Sequence, residues 1–273
     1  MIKRIVSGGQ TGADRAALDA AIELGVPHGG WIPKGRPAED GPLPEKYQLQ
    51  EMPTSGYPAR TERNVVDSHG TLIVSHGEMA GGSALTKRLA AKYNRPCLHI
   101  DLAEINTFLA AGRIIDWLHG NAIEILNVAG PRASKDPEIY EGTLKLLKAV
   151  HHMATISEEP GHHRTSPDLP VTIEEAVNAL IEVMSLKDRT KLANMPEEDL
   201  RDFQHALGPY VRNKLGLWAN DSELLRACQA ESGPGKLHPD SASSLIIEKL
   251  WKRLRATHTL RLVSEHEEAD KRL

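Results

Sequence analysis

The first half of the chain alternates short apolar runs with stretches of helical periodicity. The apolar runs, at residues 2–6, 70–75, 97–100 and 122–128, have the length and composition of buried strands. Each of them precedes a helical pattern, as Ala17, Leu18, Ala21, Ile22 and Leu24 show after the first run. Strands that alternate with helices predict right-handed crossovers and a doubly wound, mainly parallel sheet of the Rossmann-like α/β class.

The segment between the first helix and the second long strand has a different pattern. Gly25 ends the helix, and residues 26–33 are predicted to form one further strand, interrupted by glycine. The polar stretch 34–63 is longer than the usual connection in a compact domain, although a short helix is expected at 61–66. Because such long loops are commonly functional, we predict that it forms a wall or lid of a binding site.

The second half of the chain has no such alternation. Residues 155–170 are rich in Glu, Pro, Gly, His and Ser, and predict a linker between a domain at 1–154 and a small all-α domain at 171–258. Helical patterns cover residues 173–184, 196–215, 222–230 and 241–255. Trp218 and Trp251 are expected in the core of this domain, and residues 259–273 form a charged tail.

Composition and charge exclude several classes of protein. A formal net charge of −4 argues against a general affinity for nucleic acid or for an anionic membrane. No apolar stretch approaches the length of a membrane span, and no signal-peptide pattern precedes the first strand. Cys97 and Cys228 cannot supply a four-ligand zinc site or a disulfide framework, so a cytoplasmic protein with reduced thiols is expected. The histidine pairs at 151–152 and 162–163 fit no standard zinc spacing, and no metal site is predicted.

A glycine-rich stretch follows the first apolar run and opens the first helix. It consists of Ser7-Gly8-Gly9-Gln10-Thr11-Gly12-Ala13-Asp14. A strand that passes through such a turn into a helix points unpaired backbone N–H groups at an anion, most often a phosphate. The Asp14 carboxylate suits either a helix cap or the polar edge of a ligand. The stretch matches neither GxGxxG nor the P-loop, so an ordinary tight turn explains the spacing equally well.

A second turn of this kind follows the run 70–75 and opens the next helix. Residues 76–86 include Gly81, Gly82, Ser83 and Thr86. In a parallel sheet both turns lie at the carboxyl edge, where open α/β sheets hold ligands. Five basic residues are candidates for contact with the same anion, the alternative being solvated loop positions: Lys34, Arg36, Arg60, Arg63 and Arg132.

Six short motifs occur in one order along residues 1–150. They are Ser7-Gly8-Gly9-Gln10-Thr11-Gly12-Ala13-Asp14-Arg15, Gly29-Gly30-Trp31-Ile32-Pro33-Lys34-Gly35-Arg36, Ala38-Glu39-Asp40-Gly41, Arg60-Thr61-Glu62-Arg63-Asn64, Gly70-Thr71-Leu72-Ile73 and Asn127-Val128-Ala129-Gly130-Pro131-Arg132. Together they resemble the molybdenum carrier family, whose members are described as circularly permuted YpsA-like proteins of the SLOG superfamily. The resemblance implies a Rossmann-like domain, a homo-oligomer and a small phosphorylated ligand, either nucleotide-like or a pterin such as the molybdenum cofactor.

The resemblance extends to the Lonely-guy phosphoribohydrolases, and this leaves catalysis open. In those hydrolases a glutamate follows the second glycine turn, whereas Lys87 and Arg88 stand at that position here. Glu39, Asp40 and Glu62 are the remaining carboxylate candidates for acid/base chemistry on a nucleoside monophosphate. We expect a non-catalytic binding or carrier protein; the alternatives are such a hydrolase and a nucleotide sensor that signals to a protein partner through the helical domain.

The predicted ligand-binding residues come from the two turns and from the motifs around them. They are Ser7, Gly8, Gly9, Gln10, Thr11, Gly12, Asp14, Lys34, Arg36, Arg60, Asn64, Gly81, Gly82, Ser83, Thr86 and Arg132.

Overall fold

The computed structural model describes residues 2–157, 169–219 and 221–258, and the chain divides into two compact units, Met1–Pro160 and Gly161–Leu273. Most of the predicted linker, the histidine pair at 162–163 and the predicted tail at 259–273 lie outside the described residues. The two units are described separately below.

The first unit alternates strands and helices in the order that the hydrophobic pattern predicts. Its elements are β1 (Arg4–Val6), α1 (Ala13–Glu23), β2 (His28–Gly29), β3 (Trp31–Ile32), β4 (Pro37–Ala38), β5 (Gly41–Pro42), β6 (Gln50–Glu51), α2 (Tyr57–Val66), β7 (Gly70–Ser75), α3 (Gly81–Lys92), β8 (Cys97–Asp101), α4 (Thr107–Gly120), β9 (Ile125–Ala129) and α5 (Ile139–Ser157).

Five of these strands form the central sheet, in the order β2-β1-β9-β7-β8. All of its pairings are parallel. The strand β7 lies inside the sheet and every one of its residues is buried, as its unbroken apolar sequence predicts. The prediction of a Rossmann-like α/β fold is therefore confirmed, and the carboxyl ends of β1, β9 and β7 lie side by side at one edge.

The predicted strand at residues 26–33 is wrong, because the chain forms two short strands in different sheets. The strand β2 pairs with β1 in the central sheet, whereas β3 pairs with β6 in a separate two-stranded sheet. Gly30 separates them with a φ of +127°, and a Cβ there would stand 2.2 Å from the Ser7 carbonyl oxygen. This backbone approach requires glycine and turns the chain out of the central sheet.

The connecting segment, residues 34–56, is not a structureless loop. It contains β4, β5 and β6, and β4 and β5 form an antiparallel hairpin whose tip is Glu39-Asp40. The Arg36 guanidinium orders the segment by donating hydrogen bonds to the carbonyls of Leu43, Pro44, Tyr47 and Leu49 at 2.8–3.2 Å. Leu43, Tyr47 and Leu49 then pack with Leu18 and Ile32 in one buried cluster. The helix α2 also begins earlier than predicted, at Tyr57.

The second unit is helical throughout its described residues. It comprises α6 (Ile173–Val183), α7 (Leu186–Ala193), a 3₁₀ turn at Glu197–Asp199, α8 (Leu200–Lys214), α9 (Glu223–Ser232) and α10 (Pro239–His258). The side chains of Thr172, Ser185 and Ser222 cap α6, α7 and α9. The helix α10 packs against the other four α-helices described in this unit, which makes it the centre of this bundle.

Two predictions for this unit need correction. The helix α7 was not predicted, since its eight residues carry too short an apolar pattern to be recognised. Trp251 is buried, as expected, but 48% of the Trp218 side chain is exposed, so Trp218 is not a core residue. None of the described helices combines the length and the apolarity that crossing a bilayer demands.

Candidate functional site

Three loops meet at the carboxyl edge of the central sheet. They are the first turn (residues 7–12) after β1, the second turn (residues 76–82) after β7, and the β9 loop (residues 130–136) between them. The Ala13 amide donates to the Pro131 carbonyl at 3.2 Å, which joins the start of α1 to the β9 loop. On the other side, His76 Nδ1 lies 2.8 Å from the Asp136 carboxylate. The β9 loop is therefore bonded to both glycine-rich regions.

Contacts within the protein account for the glycines of the first turn. Gly12 has a φ of +78°, and a Cβ there would stand 2.4 Å from the Pro131 carbonyl oxygen. A Cβ on Gly8 would meet the Arg60 guanidinium, and one on Gly9 would meet the side chains of Leu43 and Leu49. The need for glycine in this turn thus follows from internal packing alone, as the tight-turn interpretation expects.

A buried ion pair covers the first turn. Arg60 Nη2, from α2, donates to the Asp14 carboxylate of α1 at 3.2 Å, and their side chains are 12% and 8% exposed. Burial raises the pKa of Asp14, although Arg60 and a hydrogen bond from the Gln10 backbone amide oppose this shift. Nε of Arg60 and Nε of Arg15 are buried and have no hydrogen-bond partner among the described residues. Two cationic side chains thus flank this turn with part of their donor capacity unused.

The tip of the β4–β5 hairpin reaches the same edge. Glu39 accepts hydrogen bonds from the hydroxyls of Thr11 and Ser134, both at 2.5 Å. These bonds, with that of Ser134 first, lower the pKa of Glu39. The adjacent Asp40 binds the Arg15 guanidinium through both carboxylate oxygens, at 3.0 and 3.1 Å, and this lowers the pKa of Asp40.

The second turn differs from the first because its glycines face open space. A Cβ on Gly81 or Gly82 would meet no atom of the described residues within 4 Å. No side chain among the described residues caps the start of α3, and the first amides of a helix have no intrahelical acceptor. Ser83 and Thr86 are buried just behind them, with the Thr86 hydroxyl bonded to the Gly82 carbonyl. This helix start is accessible and polar.

Five other predicted site residues are placed away from an open ligand position or are bonded within the protein. The Ser7 hydroxyl is buried and donates to the Val128 carbonyl, and Asn64 bridges α2 to the amide and carbonyl of Trp31. The Arg36 guanidinium is bonded to the connecting segment, as described above. Lys34 is exposed. Glu62 is half-buried and binds Lys92 and Tyr93, which lowers its pKa.

Three residues at this edge were missed by the sequence reasoning. Tyr57 begins α2 and places its ring 5.2 Å from the Arg132 guanidinium. Ser134 follows the last recognised motif, and Arg15 lies inside the first motif but was not selected. Arg15 and Ser134 could have been found from the sequence, because each lies inside or next to one of the six motifs. Nothing in the sequence marks Tyr57 as a site residue, because helix α2 was expected to begin four residues later.

A cavity of about 230 Å³ lies far from this edge. It is lined by Ile2 and Glu124, which precede β1 and β9, and by Leu118 and Val150 of α4 and α5. Since these residues lie at the amino ends of the strands, the cavity contains none of the predicted site residues. The described part of the chain also holds no group of three or more His, Cys, Asp or Glu side chains arranged for a metal ion.

Comparisons with known proteins agree with the fold and with the motifs at this edge. No curated protein matches the chain. Residues 169–254 match the model of a domain of unknown function, DUF6794. A crystal structure of a putative molybdenum carrier protein from Syntrophus aciditrophicus SB is 61% identical, with a TM-score of 0.54, and the match covers 55% of this chain and 94% of that one. Residues 5–151 match the model of the circularly permutated YpsA SLOG family, and the chain belongs to that family.

Proposed function

We propose that this chain is a molybdenum carrier-like protein that binds a small phosphorylated ligand, nucleotide-like or pterin, at the carboxyl edge of the central sheet. The ligand would lie across the β9 loop, between the Arg60 side of the first turn and the open second turn. The similar protein from Syntrophus aciditrophicus carries the name of a molybdenum carrier, and this supports a ligand of that class.

The start of α3 is the observation that carries this proposal. Its first two residues, Gly81 and Gly82, are exposed, and the open space around their Cα atoms leaves room for a ligand beside the helix-terminal amides. A helix N-terminus with exposed amides attracts an anion through its hydrogen-bond donors and through the helix dipole. Arg60 and Arg132 lie at the same edge of the sheet, and arginine forms forked contacts with phosphate oxygens.

The ring of Tyr57 supports a planar group in the ligand. Its side chain is 36% exposed, and the Arg132 guanidinium already lies over it. Aromatic rings and guanidinium planes both stack on heterocycles. A base or pterin ring at this position would leave its phosphate directed toward the β9 loop.

The protonation state of the three candidate carboxylates favours a binding protein over a hydrolase. Glu39, Asp40 and Glu62 are each bonded to hydroxyl or cationic groups, and the pKa of each is lowered. A carboxylate with a lowered pKa is a weak general base and is not protonated at neutral pH, so none of the three suits acid catalysis. Lys87 and Arg88 follow the second turn where the hydrolases have a glutamate.

The test is a binding measurement on the full chain with nucleoside monophosphates, molybdopterin and inorganic phosphate, by calorimetry and by thermal shift. We expect a phosphorylated ligand to raise the melting temperature, and Gly82→Asp to weaken its binding at least tenfold through repulsion. Gly82→Asn has the same size without the charge and is the matched control. Unshifted melting of the wild type across all of these ligands would overturn the proposal, and release of free base from a nucleoside monophosphate would replace it with the hydrolase.

A further inference from the structure

The Glu39 carboxylate is surrounded by donors that belong to the loops of the ligand-binding edge. Thr11 of the first turn donates its hydroxyl to one oxygen. Ser134 of the β9 loop donates its hydroxyl to the other oxygen and its amide, at 3.4 Å, to the first. Arg132 Nη1 lies 3.8 Å from the carboxylate. Two hydroxyls, one amide and one guanidinium therefore converge on a single negatively charged group.

We propose that Thr11, Ser134 and Arg132 form an oxyanion subsite for a phosphoryl group, and that Glu39 fills this subsite when no ligand is bound. This donor set is what proteins use to hold phosphate oxygens. The carboxylate comes from the hairpin tip in the connecting segment, whereas all of the donors come from the sheet edge. The subsite rests on the proposed function and adds to it the place where a phosphoryl group binds.

The donors are positioned independently of Glu39. The Ser134 and Arg132 backbones belong to the β9 loop, whose Lys135 and Asp136 amides close a turn on the Arg132 carbonyl at 2.9 and 3.0 Å. The Ala133 amide donates to the Thr11 hydroxyl oxygen at 3.3 Å, which holds the first turn and the β9 loop together. The donor set would therefore stay assembled after the carboxylate leaves.

The Glu39 carboxylate is suited to displacement because it is held at the surface. Its side chain is 24% exposed, and Arg132 is 47% exposed. Ion pairs at exposed sites contribute little to stability, whereas a phosphate near neutral pH carries close to two negative charges and three acceptor oxygens. A phosphoryl group should thus compete successfully for these donors. Asp40 keeps the hairpin bonded to α1 through Arg15, so Glu39 can move without release of the hairpin.

Competition of this kind lowers the apparent affinity of the wild type for phosphate. If Glu39 leaves the subsite free for only about one tenth of the time, the apparent Kd is about tenfold above its intrinsic value. Glu39→Gln removes the charge that competes for Arg132, and we expect phosphate to bind this variant about tenfold more tightly than the wild type.

The experiment is a titration of the full chain with inorganic phosphate, monitored by calorimetry, in the wild type and four variants. Glu51→Gln is the matched control, because it is the same substitution at another connecting-segment carboxylate, one that accepts the Gly35 amide. Its phosphate affinity should stay within about twofold of the wild type, since an exposed charge acts weakly over distance. Ser134→Ala removes a donor without altering the hairpin, and should weaken phosphate binding in the wild type and in Glu39→Gln alike.

Each outcome decides between the two proposals. Equal gains in phosphate affinity in Glu39→Gln and Glu51→Gln would indicate an adventitious ion only. The subsite would be overturned if Glu39→Gln bound phosphate no more tightly than the wild type, or if Ser134→Ala bound it no more weakly. If nucleotide or pterin ligands bind the wild type and Glu39→Gln equally, the subsite fails while the proposed function stands. If phosphate binds Glu39→Gln and no nucleotide or pterin binds either protein, the proposed function fails while the subsite stands.

Discussion

The Arg60 guanidinium lies against the backbone of Gly8 so closely that a Cβ on Gly8 would stand 1.9 Å from Arg60 Nη1. The same guanidinium is the ion-pair partner of the buried Asp14 carboxylate. A side chain at position 8 would therefore displace the group that compensates a buried charge. The glycine and the ion pair depend on each other, although Gly8 and Arg60 lie far apart along the chain.

Gly8→Ala should destabilise the first unit by about 1–3 kcal/mol. The reason is not the methyl group itself, since the guanidinium is the end of a flexible side chain, but the loss of a partner for a buried carboxylate. Urea unfolding of the full chain measures the change. Gly120→Ala is the control, because a Cβ there would meet no atom within 4 Å in the part of the chain that the structure describes; equal stability of Gly8→Ala and wild type would contradict the prediction.

Arg60→Met should cost about 3–5 kcal/mol at neutral pH, because it leaves Asp14 charged and buried without its counterion. Burial already raises the pKa of Asp14 above its ordinary 3.8, and without Arg60 the pKa should rise further. A carboxyl group with a raised pKa in the folded state stabilises the fold when it is protonated. The stability of Arg60→Met should therefore recover as the pH falls toward 3.8, the ordinary pKa of Asp14.

The double variant Arg60→Met with Asp14→Asn provides the matched comparison. It removes both charges, so it should be more stable at neutral pH than Arg60→Met alone and should show much less of the acid recovery. Guanidinium unfolding over a range of pH measures both effects. A double variant with the pH profile of the single one would show that Asp14 is not the titrating group.

The Glu39 contacts should be lost in acid. Hydrogen bonds from Ser134 and Thr11 lower the pKa of Glu39 below its ordinary 4.5. A carboxylate with a lowered pKa stabilises the folded state above its unfolded pKa and ceases to do so as the pH falls through its folded value. The stability difference between wild type and Glu39→Gln should thus be present at neutral pH, begin to shrink near pH 4.5 and be lost as the pH falls through the lower pKa of Glu39 in the folded state. A difference that does not change with pH would contradict this account.

Tyr140→Phe should destabilise the first unit by about 1.5 kcal/mol, the usual contribution of a hydrogen bond to a charged group. The Tyr140 hydroxyl donates to Asp19 of α1 at 2.9 Å, and Tyr47 donates to the other oxygen of the same carboxylate. Thermal unfolding measures the loss. Tyr93→Phe is the control, because the hydrogen bond that Tyr93 donates to Glu62 is exposed to solvent; it should change stability by less than about 0.5 kcal/mol.

Ser185→Ala should destabilise the second unit by about 1 kcal/mol through the loss of a helix cap. The Ser185 side chain accepts from the Asp188 amide at 3.1 Å and donates to the Asp188 carboxylate at 2.7 Å. Ser241→Ala, at an exposed position of α10, should leave stability nearly unchanged. Circular dichroism at 222 nm, followed during chemical unfolding, measures the stability of both variants. Equal losses of stability in the two variants would mean that the cap does not stabilise the unit.

The central strands were predictable from the sequence because burial on both faces leaves an unbroken apolar run, as in β7. The short strands of the connecting segment were not, because two-residue elements such as β4 and β5 carry no period. Their conformation depends on hydrogen bonds from Arg36 to carbonyls up to 13 positions away, and such contacts have no local signature. The break at Gly30 was equally hidden, since glycine permits a turn without requiring one.

The candidate site was predictable as a set of loops and not as a set of contacts. The order of strands and turns placed both glycine-rich regions at the same edge of the sheet. Spacing alone could not pair Asp14 with Arg60, 46 positions away, or Glu39 with Ser134, 95 positions away. Those pairings arise only after three loops and α2 have been brought together by the sheet.

The hydrogen bonds from Arg36 to four carbonyls make the connecting segment sensitive to substitution of this single residue. The connecting segment has little secondary structure of its own and takes its shape from the Arg36 guanidinium. Arg36→Lys keeps the charge but would lose the branched group that reaches all four carbonyl oxygens. The hairpin tip that carries Glu39 and Asp40 is the part that would lose its support. The mutational weak point of the candidate site therefore lies in a residue whose guanidinium is bonded to the connecting segment and not to the glycine-rich turns.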